Sequence, residues 1–315
     1  MTTSADGERR GKVLILGLPY FGKMLAADLT GLGWKAEFLP HPGRSATGWA
    51  RVAKSATRAD IVYLIGSRID RSSPQDRLLR LRRKPVVIHW VGTDVQIAVD
   101  EHRRHNVSLR VAERPTHWCD APWLVDELRT MGIVSEYVPL PIPIEPGPPP
   151  PLPEAFRALL YYPVDAFDRE VFDIETMMRL PLEFPRVEFT LIPSPANTLP
   201  QPVPQNLEAL PWVEDMDALY RRTTVIIRLT SHDGQSFMAG EALSRGRYVI
   251  WTHPMPGCIR AQTYDQVAKA LGKLVEKHEA GTLKINTGGR RVVMDRFGKG
   301  KPLQELDERL RALLP

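Results

Sequence analysis

Cysteine is scarce in this chain. Cys119 and Cys258 are the two among 315 residues, and they stand far apart with no paired spacing. That excludes a disulfide framework and a cysteine-built zinc site, and it points to a reducing cytoplasm. Long apolar runs are missing as well, none approaching the roughly 18 residues a membrane span needs. The opening MTTSADGERRGK is polar and lacks the apolar core of a secretory leader, so no signal peptide is expected. Gly17 and Gly22 bracket a loop without the third glycine of a dinucleotide fingerprint, and no P-loop Lys-Ser/Thr follows. A nicotinamide-dependent oxidoreductase is correspondingly disfavoured, and neither a metal centre nor a cofactor is expected.

What is present is the composition of a folded protein, 43% hydrophobic and 25% charged, at a length that suits two domains. The net charge of +5 is uneven. Residues 1–150 hold 21 Lys+Arg against 16 Asp+Glu, and the remaining 165 residues balance at 21 against 21. The densest basic cluster spans 77–84. It reads as a solvated helix face or as a contact for anionic lipid headgroups, which would place the protein peripherally at the inner face of the membrane. No aromatics interleave with it and no nucleic-acid motif accompanies it, so nucleic acid is not an expected partner.

Short apolar runs alternate with helical patterns along the chain. Strands are predicted at 12–17, 35–39, 59–66, 84–91 and 135–139, with helices at 23–32, 73–83, through 97–102, and after Asp120. A second series has strands at 157–162, 187–192, 225–230 and 248–251, with helices at 167–182, after Asp215, at 237–245, and around 261–278. Strands alternating with helices argue for doubly wound parallel sheets. Between them lies residues 139–153, PLPIPIEPGPPPPLP, in which nine of fifteen residues are proline. Proline at that density favours extended polyproline II geometry, so the stretch reads as a semi-rigid linker. The predicted domains are 1–145, joined by a C-terminal helix at 303–315, and 146–302.

Several polar residues sit where such sheets bind ligands, at the carboxyl ends of strands. Gly22 either relieves a tight turn or lines a ligand cleft. His89 is a base or a satisfied core histidine. Thr93 and Asp94 are helix caps or cleft residues. The most informative stretch is DGQSFMAGEALSRG, residues 233–246, where a glycine-bearing loop leaves a strand and enters a helix. Orphan amides at such a helix start favour anions. Asp233 and Glu241 frame it. By spacing alone they read as a cap and a solvated glutamate.

Four segments together carry a resemblance: KVLILGLPYFG, VVIHWVGTDV, PWLVDEL followed by VPLP, and WVEDMDALYRRTTVIIRLTSHDGQSFMAGEALSRGRYVI. In that order they resemble the large retaining family of GT-B glycosyltransferases, many of them bacterial enzymes that build glycans, glycolipids and lipopolysaccharide. The family marks its donor site with two carboxylates separated by seven residues, the spacing of Asp233 and Glu241, with Asp in place of the usual first Glu. The resemblance implies two Rossmann-like domains facing a cleft and a nucleotide-sugar donor, such as a UDP- or GDP-sugar, held by the second domain. It implies Glu241 on the donor ribose and Asp233 on the sugar. The family's first-domain histidine would stand directly before Gly92, where this chain has Val91. His89, two residues earlier on the same strand face, is the catalytic candidate of the first domain. The amides of Gly234, Gln235, Ser236 and Phe237 would approach the sugar or diphosphate. The acceptor, a sugar, a lipid-linked molecule or another small molecule, would enter near Gly22, Thr93 and Asp94. The chain departs from the family in the loop after residue 161, which lacks the usual Arg-then-Lys pair for the diphosphate. Arg169, Arg228 and Arg260 are the candidate substitutes. A catalytically degenerate relative that binds a nucleotide or glycan, or serves as a partner subunit, is the alternative.

Overall fold

The computed structural model describes residues 10–71, 73–75, 84–144, 147–164 and 169–314. The expected helix at 73–83 and the basic cluster at 77–84 fall outside these apart from 73–75 and Lys84, as do Asp165 to Asp168 of the loop after residue 161. The chain divides into two compact units, Met1–Leu140 with Pro302–Pro315, and Pro141–Lys301. No helix among the described residues is long and apolar enough to cross a membrane.

In the first unit β1 (Lys12–Gly17), β2 (Lys35–Pro40), β3 (Ile61–Ile65), β4 (Val86–Trp90), β5 (Thr116–Cys119) and β6 (Glu136–Tyr137) form one sheet. The order is β2-β1-β3-β4-β5-β6 with every pairing parallel. Helices α1 (Pro19–Gly31), α2 (Ala46–Arg58), α3 (Thr93–Arg103), α4 (Leu109–Ala112) and α5 (Pro122–Arg129) supply the crossovers. β1, β3 and β4 are buried almost throughout, as strands covered on both faces must be.

Neither α2 nor β5 is evident from the sequence. The α2 segment is rich in Ser, Thr and Gly, which mask its pattern. It is held by the Ser45 side chain accepting from the Gly48 amide and by burial of Val52 and Ala56. At its other end the Lys84 ammonium donates to the carbonyls of Ala56, Thr57 and Ala59 at 2.9, 2.7 and 2.5 Å. That member of the basic cluster is therefore a helix cap. β5 carries His117 into the core, where Trp90 Nε1 donates to His117 Nδ1 at 3.0 Å and His117 Nε2 donates to the Ala112 carbonyl at 2.6 Å.

The last helix, α11 (Gly300–Ala312), contributes Asp307 to the first unit. This buried carboxylate accepts from Trp34 Nε1 at 2.6 Å and from Arg10 Nε at 3.1 Å. Burial opposes its charge, but the bonds from Arg10 and Trp34 hold it below the ordinary carboxylate range.

The second unit contains β7 (Arg157–Tyr161), β8 (Glu188–Ile192), β9 (Leu207–Ala209), β10 (Val225–Arg228), β11 (Tyr248–Trp251) and β12 (Ile259–Arg260). Their order is β12-β11-β10-β7-β8-β9, again all parallel. Around them run α6 (Ile174–Glu183), α7 (Met216–Arg221), α8 (Phe237–Ser244), α9 (Tyr264–Glu279) and α10 (Thr287–Arg296). The first strand of this unit lies centrally and the direction of winding reverses between β7 and β10, the position where open α/β sheets receive ligands.

The proline-rich stretch is bonded into this unit through its carbonyls, which proline retains although it lacks an N–H. Arg247 donates to the Pro151 carbonyl at 2.8 Å, and Arg290 to that of Gly147 at 2.6 Å. The Ile142 amide donates to Phe297 O at 2.7 Å.

Candidate functional site

The reversal point of the second sheet gathers the motif. β10 ends at Arg228, residues 229–236 form the loop, and α8 begins at Phe237. Ser236 is the N-cap, its hydroxyl accepting from the Ala239 amide at 3.3 Å. Gln235, Ser236 and Phe237 are all buried. The Gly234 amide donates at 3.0 Å to Asp233 Oδ1. One of the four amides expected to face the donor thus turns to the neighbouring carboxylate.

Asp233 is not a helix cap. Its Oδ2 accepts from Arg228 Nε at 2.5 Å and from the Thr230 hydroxyl at 3.4 Å. The Arg228–Asp233 pair is largely enclosed, the side chains being 13% and 14% exposed. Burial lowers the pKa of Arg228, yet the charge and hydrogen bond of Asp233 raise it more, so the guanidinium is held in its charged form. Its Cζ lies over two aromatic rings, 5.2 Å from the centroid of Tyr161 and 5.3 Å from that of Phe172. Phe172 is brought there by a bridge with Thr230.

Glu241 is not a freely solvated glutamate. Its Oε2 accepts from the Tyr220 hydroxyl at 2.8 Å, and Tyr220 is fully buried. Two arginines brace the same corner. Arg245 donates to Asp217 at 2.6 Å and to the Glu241 carbonyl at 3.0 Å. Buried Arg247 donates to the carbonyls of Tyr220 and Arg221 at 2.9 and 3.2 Å.

Arg169 is committed elsewhere in the unit. Nε donates to Pro163 O at 2.7 Å and Nη2 to the Ser194 hydroxyl at 3.3 Å, with the guanidinium 4.7 Å from the Tyr162 ring centroid. Arg260 is exposed on the edge strand β12.

In the first unit two of the expected site residues belong to the core instead. His89 is 0% exposed. Its Nε2 donates to the Val138 carbonyl at 2.9 Å, which leaves Nδ1 to accept from the Tyr63 hydroxyl. Burial lowers its pKa to about 3, the Val138 bond only partly offsetting this. A neutral, enclosed ring with both nitrogens engaged cannot exchange protons with an acceptor, so His89 is the satisfied core histidine. Gly22 is buried in α1, where an added Cβ would stand 2.3 Å from the Phe38 ring. Its lack of a side chain serves helix–strand packing, and it does not line a cleft.

Asp94 and Thr93 stay at the carboxyl edge of β4, although neither is the N-cap. Gly92, with φ of 128°, takes that place and α3 begins at Thr93. The Asp94 carboxylate accepts from the amides of Val91, at 3.1 and 3.2 Å, and Val95, at 3.1 Å. It closes the turn from β4 into α3.

The described residues hold no cluster of three or more His, Cys, Asp or Glu side chains able to bind a metal. Arg228 and Tyr220, both central to the geometry, carry no spacing signal. Arg228 was one of three candidate arginines on sequence and is set apart by its bond to Asp233, and Tyr220 is found through its bond to Glu241.

No protein-family model matches the chain, and no curated protein matches it. Solved structures do. Sucrose-phosphate synthase from Thermosynechococcus elongatus aligns over 96% of this chain and 99% of its own, at 12% identity and a TM-score of 0.73. A glycosyltransferase from Rickettsia africae aligns over 96% and 98%, at 10% identity and a TM-score of 0.68. HepE from Anabaena, solved in complex with UDP-glucose, aligns over 96% and 100%, at 12% identity and a TM-score of 0.66. At these identities the likeness is one of fold, and that fold, α/β with two six-stranded parallel sheets, is the one shared by GT-B glycosyltransferases.

Proposed function

We propose that this protein is a glycosyltransferase that takes a sugar from a nucleoside-diphosphate sugar and transfers it to an acceptor, with retention and without a metal ion. One observation carries the reading: Asp233 and Glu241, with seven residues between them, both lie on the loop and helix that follow β10 at the reversal point of the second sheet. The fold shared with HepE, which was solved with UDP-glucose, supports it. In this reading Glu241, oriented by Tyr220, accepts hydrogen bonds from the donor ribose. Asp233 and the start of α8 meet the sugar and the diphosphate. The anomeric C–O bond breaks with its electron pair leaving on the diphosphate. The acceptor oxygen bonds to the same face of the sugar, and its proton passes to the departing diphosphate oxygen. Fixed positive groups at the departing oxygen stabilise the developing charge.

The acceptor is taken by the first unit near Thr93 and Asp94. The surplus of basic residues in residues 1–150 suits a lipid-linked acceptor presented at a membrane whose inner face is anionic.

Calorimetry with UDP-, GDP-, ADP- and dTDP-sugars tests the reading. Binding of one class in the absence of divalent metal, lost in Glu241→Ala, is the expected result. No binding of any of them overturns it. The engagement of Arg169 with Pro163 and Ser194 favours a second reading, a relative that binds a nucleotide or glycan without turnover. Sugar transfer by the wild type, abolished in Glu241→Ala, separates the enzyme from that alternative.

A further inference from the structure

A departing diphosphate needs a cation, and the loop after β7 lacks the Arg-Lys pair that would supply it. Three arginines were candidates on sequence. Arg169 spends Nε and Nη2 on Pro163 and Ser194, and Arg260 is an exposed residue of an edge strand. Arg228 differs from both. It ends β10, beside β7, where the winding reverses. Its guanidinium is lodged against Tyr161 and Phe172, and Nε is spent on Asp233 at 2.5 Å. Among the described residues neither terminal nitrogen has an acceptor. Neither is among the enclosed polar atoms left without a partner, so the fork of the two terminal nitrogens opens toward solvent in the geometry that fits a phosphate.

We infer that Arg228 is the diphosphate-binding residue of this protein, with Asp233 as the positioning residue that holds its Nε and so presents the terminal nitrogens as a fork. The inference rests on the donor-site reading above and relocates the cation from the first crossover of the unit to its fourth strand. Asp233, bonded to Arg228, Thr230 and the Gly234 amide, then serves to fix the cation as well as to face the sugar. The two rings and the low exposure of the side chain screen the guanidinium from water, which strengthens its bond to an anion.

The test measures UDP, GDP and ADP binding by calorimetry, and binding of uridine, guanosine and adenosine by competition, to wild type, Arg228→Lys, Arg228→Met and Asp233→Asn. The expected result is a loss of diphosphate affinity of about tenfold or more in Arg228→Met, with affinity for the matching nucleoside unchanged. Arg228→Lys, which keeps the charge and loses the fork, should lie between, and it carries the test if Arg228→Met does not fold. Asp233→Asn should weaken the diphosphate and spare the nucleoside, as a positioning role requires. Wild-type diphosphate affinity in both Arg228 variants overturns the inference and leaves the donor site standing. An equal loss of diphosphate and nucleoside in the Arg228 variants overturns it too, since that marks a structural role. A wild-type protein that binds no nucleoside diphosphate overturns the donor-site reading and this inference together.

Discussion

The phenol of Tyr220 donates a 2.8 Å hydrogen bond to Glu241 Oε2, so the carboxylate that answers the family's second glutamate is oriented by a residue from a different helix. Tyr220→Phe removes that donor and keeps the ring. A hydrogen bond to a charged group contributes about 1.5–3 kcal/mol, so donor affinity should fall by roughly tenfold or somewhat more while the fold persists. Titration of the donor nucleotide checks it. An unchanged affinity would show that Glu241 needs no fixed orientation.

Gly22 offers a cleaner separation of packing from binding. In Gly22→Ala the new methyl meets the Phe38 ring, and overpacking of this kind costs about 1–3 kcal/mol. Thermal unfolding should show a lowered midpoint, whereas nucleotide binding at a temperature where the variant is folded should match wild type.

The two buried histidines of the first unit make stability depend on pH. Burial holds His89 at about 3 and His117 at about 4, each partly offset by its bond to a backbone carbonyl. Both values lie below the ordinary 6.5, so the folded chain stays neutral where the unfolded chain takes up protons. Their contribution is complete above pH 6.5 and declines as pH falls toward the folded values, with a limiting slope of about 1.4 kcal/mol per pH unit for each histidine. Urea unfolding at a series of pH values between 7 and 4.5 measures this. His89→Gln should flatten the slope by about one proton, and turnover in folded protein should show no inflection that disappears with His89.

Arg247 ties the proline-rich stretch to the donor corner. Fully buried, it donates to the carbonyls of Pro151, Tyr220 and Arg221. Burial first, then the charges of Arg245 and Arg221, lower its pKa to about 10, so it remains charged at neutral pH. Arg247→Met strands three carbonyls and should cost about 3 kcal/mol or more of stability. Because Tyr220 is one of the residues it holds, donor affinity should fall in the same variant. Denaturant unfolding and nucleotide titration read the two effects separately.

Much of the fold is legible in the sequence. The apolar runs KVLILG and IVYLI, the Asp215 cap and the helix after Ser236 are local events, decided by side-chain periodicity and by hydrogen bonds three residues long. β5 was not legible, because two of the four residues in THWC are polar and qualify for the core only once Trp90 and Ala112 supply partners for His117. α2 was hidden differently: Trp49, Val52 and Ala56 give it an apolar stripe, but Thr47, Gly48, Ser55 and Thr57 interrupt the local pattern.

The sequence by itself determined the alternation of strand and helix, the two series of elements and the Asp233–Glu241 spacing, since each depends on near neighbours along the chain. The tertiary structure alone decided what the polar residues do. His89 became core through Tyr63 and Val138, Gly22 became a packing position through Phe38, and Arg169 was spent on Ser194. Arg228 was singled out by Tyr161 and Phe172, residues 67 and 56 positions away. Charge, burial and hydrogen-bond satisfaction are properties of neighbours in space, and no spacing rule along the chain records them.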